Sequence, residues 1–292
     1  MAILLQILFN GLIAGSIYAL VAVGFSLIYS TGRFMHFAHG AVVALGAYLQ
    51  YWFFNLIGIN FYLSFILTLF SVSLIGYLMH RFVYKPLKDR GSSSAVLLIV
   101  SVGLMIVIEN FILLIFGASV KSYSFLEIRR GIEIAGALIT PLQIFIIAIS
   151  VALFLLLYFF MKKSKLGRII RAVSDNPELA RISGINAHFV HSASFIIGSA
   201  MASLGGVLIA LEQNLEPTMG LNLIVKGFTG AVIGGIMSIP GSIAGSFFLG
   251  IVENAGIWYL PSGYKDAIAF VILFLFLIFK PKGIFGVKKR DE

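Results

Sequence analysis

Hydrophobic and polar positions fall into long blocks along this chain. Short polar loops separate the apolar blocks, which are Leu4–Ile28, Phe37–Ile59, Tyr62–Val83, Ala95–Phe116, Pro141–Met161, Phe189–Leu211, Ile224–Ile239, Gly241–Tyr259 and Ala267–Phe279. A helix needs about 20 mostly apolar residues to cross the hydrocarbon core of a bilayer. The pattern therefore predicts an all-α, polytopic integral membrane helix bundle with about eight to nine transmembrane segments.

The two segments that flank Pro240 are short and rich in glycine. They predict either two close-packed spans or one broken or re-entrant hairpin. Pairs of glycines four residues apart recur in the chain, namely Gly11 and Gly15, Gly230 and Gly234, and Gly241 and Gly245. Such pairs let helix backbones approach closely. Ordinary helix packing explains any one pair, and their density between Gly227 and Gly256 predicts a tightly packed inner bundle.

Basic residues mark the orientation, because cytoplasmic loops carry an excess of lysine and arginine. The loop His80–Arg90, the loop Lys162–Arg181 and the tail from Lys280 are all basic. We expect these three, and hence the C-terminus, to be cytoplasmic, with the N-terminus outside. The loop Ala118–Ile139 is then outside, although it holds Lys121, Arg129 and Arg130. We keep this assignment because the second loop and the tail hold more basic residues than this loop does.

Composition narrows the class of protein. Of 292 residues, 60% are hydrophobic and 11% are charged, and the mean hydropathy is +1.03. A soluble domain averages about 25% charged residues, so we expect a single transmembrane domain over 1–292 in a cell (inner or plasma) membrane. The net charge of +9 lies between the apolar segments and indicates membrane orientation and lipid contact, not nucleic acid.

Enzyme motifs are missing from the sequence. The chain has no cysteine, no GxxxxGK[ST] phosphate loop, no HExxH and no GxSxG. His36 and His39 share one helix face, but zinc normally takes at least three protein ligands. We therefore expect no catalytic residue, metal or cofactor.

Six motifs in order resemble the membrane permease subunit of high-affinity branched-chain amino acid ABC transporters. They are Phe9–Leu20 (FNGLIAGSIYAL), Phe37–Gly40 with Gly46–Tyr48, Tyr84–Leu87, Gly167–Ala172 with Gly184–Asn186, Gly234–Gly241, and Tyr264–Asp266 with Pro281–Gly286. The resemblance covers nearly the whole chain. His36 departs from it, since the family usually has asparagine there.

The resemblance implies a function and a set of partners. The chain would form the translocation path for leucine, isoleucine and valine beside a second homologous permease subunit. Two cytoplasmic ATP-binding subunits would bind the ATP, and an extracytoplasmic solute-binding protein would deliver the substrate. Permeases for urea, short amides or other amino acids are close alternatives. A self-sufficient ion-coupled secondary transporter is a further alternative, with His36, His39, Glu109 or Glu253 coupling protons.

The cytoplasmic loop 162–187 carries signals for a short helix over Pro177–Ser183. Asn176 can cap it, Pro177 suits its first position, and Gly184 can close it in a left-handed conformation. A helix this short needs a partner to be stable, which favours a coupling helix seated on an ATPase over a loop with a chance helix signal. The residues expected to act in coupling are Gly167, Arg168, Arg171, Asn176, Pro177, Leu179, Ile182 and Gly184.

Ionisable and polar groups are costly inside apolar membrane spans, so we treat them as functional candidates. The residues expected at the translocation path or gate are Asn10, His36, Phe37, His39, Gly40 and Glu253. Interhelical hydrogen bonding is the alternative for the polar ones. His36 can titrate near neutral pH, so we expect a pH-dependent uptake rate that the substitution His36→Asn removes.

Overall fold

A computed structural model describes residues 2–123 and 131–286 of the chain. The helices within these ranges are α1 Ala2–Gly32, α2 Ala38–Tyr51, α3 Phe61–Met79, α4 Lys85–Asp89, α5 Ser94–Phe116, α6 Pro141–Lys163, α7 Lys165–Asp175, α8 Pro177–Ile182, α9 Ala187–Glu212, α10 Met219–Gly234, α11 Ile239–Gly256 and α12 Lys265–Phe279. π-helical turns at Trp52–Leu56 and His80–Tyr84 extend α2 and α3, and a 3₁₀ turn at Ser262–Tyr264 precedes α12. The strands β1 Ile132–Ile134 and β2 Ala137–Ile139 form an antiparallel hairpin.

Six of the described helical segments are long and apolar enough to cross a membrane. The bent pair of α10 and α11 raises that number to seven if it counts as one span. The prediction of an all-α polytopic membrane bundle is therefore confirmed. The helix α2 has 14 residues and is too short by itself to count as a membrane-spanning helix. This is one reason why the structure gives six or seven candidate spans where the sequence predicted eight to nine.

The helices form an inner and an outer layer. In the most apolar 18-residue window of α1, 89% of the residues are buried, compared with 6% over Ser262–Phe279, which is α12 with the 3₁₀ turn before it. Around α1 pack α9, α10 and α11, and α2 packs on α9. The outer helices α3, α5, α6 and α12 turn large apolar side chains outward, for example Phe70 and Leu114. Bilayer lipid can cover such surfaces.

Glycines line the crossings of the inner helices. A Cβ atom added at Gly11 or Gly15 of α1 would lie 2.8 Å from the Cα of Ile251 or Phe247 of α11, respectively. The backbones of α1 and α11 therefore touch directly. The other two glycine pairs meet each other across α10 and α11, with Gly230 and Gly234 facing Gly245 and Gly241.

The corner between α10 and α11 bends by 116° and is held by the C-terminal tail. Gly235 has a φ of +110°, which a side chain would strain. The N–H of Ile284 donates to the carbonyl of Ile233 at 2.8 Å, and that of Phe285 donates to Gly234 at 2.9 Å. Carbonyls that a helix end normally leaves unpaired thus find partners in the tail.

The loop after α6 contains two helices where the sequence predicted one. The predicted helix is present as α8, one residue shorter than expected, with Ser183 at its C-terminal cap. The helix α7 is additional. It begins at the N-cap Ser164, whose hydroxyl accepts from the N–H of Gly167 at 2.8 Å, and it buries Ile170 and Val173 on the same face.

The loop after α5 runs from Ala118 to the β-hairpin. Before the hairpin, Tyr123 is buried, and its hydroxyl donates to the carbonyl of Ala47 at 2.8 Å. Burial raises the pKa of this phenol well above its ordinary value, so it stays a neutral donor. The predicted charges of this loop at Glu127, Arg129 and Arg130, like those of the tail at Lys288, Lys289 and Arg290, lie outside the described residues.

Candidate functional site

The two histidines near the start of α2 are buried and point to different partners. His39 Nε2 lies 3.2 Å from the carbonyl oxygen of Val21 in α1, and His36 Nδ1 lies 2.9 Å from the hydroxyl of Tyr84. The ring of His39 fits against Gly24, where an added Cβ would lie 2.8 Å from its Nε2. One nitrogen of each ring, His36 Nε2 and His39 Nδ1, has no hydrogen-bond partner among the described residues.

All five histidines of the chain form one row that passes through a single phenylalanine. Ring centroids are 6.1 Å apart from His39 to His36, 5.0 Å from His36 to Phe195, 5.3 Å from Phe195 to His80, 6.0 Å from His80 to His191 and 6.4 Å from His191 to His188. The row starts in the buried interior and ends at His188, which is 3.3 Å from the Asp89 carboxylate and partly exposed. In the described ranges, no three histidine or acidic side chains are grouped so as to hold a metal ion.

Phe37 and Gly40 join α2 to its neighbours beside this row. The backbone N–H of Phe37 donates to Ser101 Oγ at 3.1 Å, and its ring lies 6.0 Å from that of Phe228 in α10. A Cβ atom added at Gly40 would lie 2.8 Å from Ile224 Cγ2. Both residues therefore set the distance between α2 and α10.

Glu253 belongs to a separate buried cluster of charged and polar groups. The hydroxyl of Tyr18 donates to Glu253 Oε2 at 2.9 Å, and Lys226 Nζ lies 3.6 Å from the same oxygen. Lys226 Nζ also lies 3.0 Å from Asp266 Oδ1 and donates to the Tyr18 hydroxyl at 3.2 Å. The Glu253 side chain has no exposed area, and its Oε1 has no hydrogen-bond partner among the described residues. The cluster ties α1, α10, α11 and the start of α12 together.

Asn10 joins neither the histidine row nor the Glu253 cluster through any hydrogen bond of the described residues. Its Oδ1 accepts from Gln6 Nε2 at 3.1 Å, one turn earlier in α1. Along α1, Asn10 is about 16 Å from Val21, the partner of His39. The six predicted path residues thus lie in three places: four around the start of α2, one in the Glu253 cluster and one near the N-terminal end of α1.

The helix α8 displays apolar side chains at its surface. Leu179 is 60% exposed and Ile182 is 80% exposed. The Asn176 side chain accepts from the N–H groups of Glu178 and Leu179, each at 3.0 Å. Gly184 has a φ of +81° just beyond the helix. The capping signals therefore produce a helix that holds two exposed apolar side chains in place.

Three other predicted coupling residues lie on α7. Arg168 and Arg171 are exposed, whereas Gly167 is buried. A Cβ atom added at Gly167 would lie 2.6 Å from Met161 Cα in α6. Gly167 therefore serves the tight corner between α6 and α7, and the two arginines face outward.

Sequence reasoning missed Lys226, Tyr18 and Asp266. Lys226 stands alone among apolar residues in the segment Ile224–Ile239, and the rule that singled out Glu253 applies equally to it. Asp266 lies in the motif Tyr264–Asp266, but the sequence assigned this residue no role of its own. Nothing in the sequence pairs Tyr18 with a carboxylate more than two hundred residues away.

Comparison with known proteins gives one consistent family. The sequence model described as "Branched-chain amino acid transport system / permease component" matches residues 7–277. The high-affinity branched-chain amino acid transport system permease protein BraD of Pseudomonas aeruginosa is 33% identical, covering 97% of this chain and 95% of that protein. The permease protein LivH of the corresponding system in Escherichia coli K12 gives the same three values. The probable branched-chain amino acid transport permease protein LivH of Methanocaldococcus jannaschii is 28% identical over 97% of this chain and 92% of its own length.

Proposed function

The chain belongs to the branched-chain amino acid permease family, and we propose that it forms the translocation path for leucine, isoleucine and valine in an ABC importer. It is a multi-pass membrane permease and not an enzyme. The observation that carries the substrate proposal is the 33% identity to BraD and LivH over nearly the full length of each chain.

The proposed partners are a second homologous permease, two cytoplasmic ATPases that bind the ATP, and an extracytoplasmic solute-binding protein. The absence of a phosphate-binding GxxxxGK[ST] motif from the sequence fits an external energy source. The exposed Leu179 and Ile182 on α8 give an ATPase an apolar surface to dock on. No cofactor of the chain itself is needed for this role.

The proposed topology places the C-terminus, the loop His80–Arg90 that contains α4, and the loop after α6 in the cytoplasm. Lys88 Nζ donates to the carbonyl of Gly32 at 2.9 Å, and the Arg33 guanidinium donates to the carbonyl of Ser174. The ends of α1, α4 and α7 therefore lie on one side. Counting α2, α10 and α11 as separate crossings gives nine segments, and this odd number takes the chain from an outside N-terminus to a cytoplasmic C-terminus. Counting the bent pair once gives eight and would leave both termini on the same side.

Coupling runs, in this proposal, from α8 into the bundle through Asn186. Its side chain accepts from the N–H groups of His188 and Phe189 at 3.0 and 3.3 Å and so caps α9. Only a short turn with Gly184 at its start separates α8 from this cap. Since α9 packs on α1, α2 and α3, a push on α8 moves helices at the centre of the bundle.

The path or gate in this proposal follows the inner helices. His36, Phe37, His39 and Gly40 set the contacts of α2, Glu253 accepts from Tyr18 of α1, and Asn10 places an amide near the N-terminal end of α1. These residues would shape an apolar cavity with few polar anchors, as a branched-chain side chain requires. Arg168 and Arg171 would contact the ATPase beside α8, with Gly167 and Pro177 fixing the corners.

Reconstituted uptake tests the proposal. We expect liposomes with the chain, its partner subunits and the binding protein to import leucine when ATP is enclosed. Liposomes with the chain alone and a proton gradient should import none, and uptake there would instead support an ion-coupled secondary transporter. Binding of urea or a short amide, and not leucine, by the partner binding protein would change the substrate and keep the class.

Substitutions on α8 test the docking surface. Leu179→Asp and Ile182→Asp should each leave membrane insertion normal and lower ATPase recovery in a pull-down at least tenfold. The matched control is Arg181→Gln, which changes the charge of α8 by the same single unit and keeps both apolar side chains. Normal ATPase recovery with both apolar positions charged would rule out this surface.

A further inference from the structure

A crevice between the outer helix α6 and the inner helix α11 shares Arg171 with the proposed coupling surface and otherwise lies outside the sites described above. Its volume is about 730 Å³, within the range of about 300–1,000 Å³ typical of ligand sites. The short helix α7 and the corner before α11 close one end. We propose that this crevice binds one anionic phospholipid, with an acyl chain between α6 and α11 and the phosphate at Lys162 and Arg171.

The walls of the crevice are apolar and open sideways. Val151, Phe154 and Leu155 line it from α6, and Ile243 and Phe247 line it from α11. The rings of Phe154 and Phe247 meet edge to face with centroids 6.4 Å apart, away from the polar rim. Val151 and Leu155 are about half exposed on the outer side of α6, where a lipid chain can enter from the bilayer.

The rim carries cationic side chains with free donors. Lys162 stands in the last turn of α6, and its Nζ donates to the Tyr158 hydroxyl at 3.2 Å, which leaves further donors. The Arg171 guanidinium lines the crevice and makes no hydrogen bond or ion pair within residues 2–123 and 131–286. A guanidinium presents its donors in a fork that matches phosphate oxygens.

Arg33 adds a third cation next to the rim. Its guanidinium contacts the carbonyl of Ser174 and the sulfur of Met237, and both residues line the crevice. One acid, Asp175, also lines the rim. Three cations against one anion leave the rim positive, which suits a ligand that carries a negative charge.

The order of charged and apolar groups along the depth of the membrane favours a phospholipid over a soluble ligand in this crevice. Lys162 ends an apolar span, so it lies at the boundary of the hydrocarbon. Phe154 lies eight residues earlier in α6, about 12 Å deeper. A phospholipid has the same order of groups, with the phosphate at the boundary and the chain below it, and basic pockets between helices bind anionic headgroups. Assignment to the cytoplasmic leaflet rests on the topology proposed above, whereas the lipid class does not.

Native mass spectrometry of the full-length chain in mild detergent tests the proposal. The probes are phosphatidylglycerol and phosphatidylcholine with identical acyl chains, titrated after delipidation. We expect one tightly retained phosphatidylglycerol per chain and at least tenfold weaker retention of phosphatidylcholine. Lys162→Gln with Arg171→Gln should lower phosphatidylglycerol retention at least tenfold, and Ile243→Trp should lower it by filling the apolar wall.

The matched control is Lys163→Gln with Lys165→Gln, which removes two neighbouring exposed charges outside the crevice and should leave retention unchanged. Equal losses in the control and rim variants, or equal retention of both lipids, would overturn a specific anionic site. If the rim double variant fails to fold, the exposed single variant Arg171→Gln decides with the same readout. Because the measurement needs neither ATP nor transport, a failure here is distinct from a failure of the proposed importer function.

Discussion

Lys226 forms ion pairs with the carboxylates of both Glu253 and Asp266, the only lysine or arginine of residues 2–123 and 131–286 to do so within 4 Å. The substitution Lys226→Met keeps an unbranched side chain and removes the ammonium. Among the described residues, Glu253 then keeps the Tyr18 hydroxyl, at 2.9 Å, as its hydrogen-bond donor. The perturbation therefore isolates the role of one positive charge in holding α1, α10, α11 and α12 together.

The two pairs differ in burial, and this difference sets the magnitude. The Asp266 side chain is 55% exposed, so its pair with Lys226 contributes about 0–1 kcal/mol. The Glu253 side chain is fully buried, and removing its charged partner leaves an uncompensated buried charge at a cost of about 3–5 kcal/mol. We expect Lys226→Met to lower the free energy of unfolding by about 3–5 kcal/mol and Asp266→Asn to lower it by about 0–1 kcal/mol.

Equilibrium unfolding in mixed micelles of mild detergent and dodecyl sulfate measures these differences. Lys265→Met is the comparison variant, because Lys265 donates to Asn254 at 3.4 Å and forms no ion pair with Glu253 or Asp266 within 4 Å, although its charge acts on both carboxylates from further away. It should therefore cost less than Lys226→Met. The double variant Lys226→Met with Glu253→Gln should be less destabilised than Lys226→Met alone, because the unpaired charge is gone. A loss below about 1 kcal/mol for Lys226→Met, or simple additivity in the double variant, would refute the buried-charge reasoning.

Three further outcomes are expected. Asn176→Ala removes the α8 cap at about 1 kcal/mol, so the affinity for a purified ATPase partner should fall about fivefold, and an unchanged affinity in a binding titration would contradict this. Gly11→Ala should lower the free energy of unfolding by about 1–3 kcal/mol, because the new Cβ overpacks the α1–α11 crossing. Gly103→Ala, where an added Cβ meets no atom within 4 Å, should raise it by about 0.5–1 kcal/mol. Equal effects in the unfolding assay would argue against the close crossing. Tyr84→Phe leaves His36 Nδ1 without its 2.9 Å partner and should cost about 1–3 kcal/mol, and a wild-type unfolding free energy would show that this hydrogen bond adds nothing.

Local signals predicted α8 well and α7 not at all. The cap at Asn176, the proline that follows and the left-handed Gly184 act within a few residues, so the sequence contains all the chemistry that starts and ends α8. The apolar positions of α7 are Leu166, Ile169, Ile170 and Val173, set among basic residues. The excess of positive charge indicated a loop and masked their helical spacing.

The candidate site was predictable only where a charged or polar residue interrupts an apolar segment. Glu253 stands out because it is an acid in an apolar segment, and Lys226 could have been found by the same rule. The histidine row could not, because its members come from α2 and the turn before it, the π-helical turn after α3, and α9. Hydropathy describes one helix at a time, whereas the row and the Glu253 cluster depend on how helices pack.

The hydrogen bonds between the tail and the α10–α11 corner make the corner depend on residues that are synthesised last among those described. Ile284 and Phe285 are synthesised after all the described helices, yet they supply the donors for carbonyls of Ile233 and Gly234. Until the ribosome has passed Phe285, the inserted corner therefore carries backbone acceptors without these partners, and unpaired backbone groups are costly near hydrocarbon. A chain that ended before Gly283 would hold every described helix and lack these two donors, so closure of the corner depends on the tail and not on the helices alone.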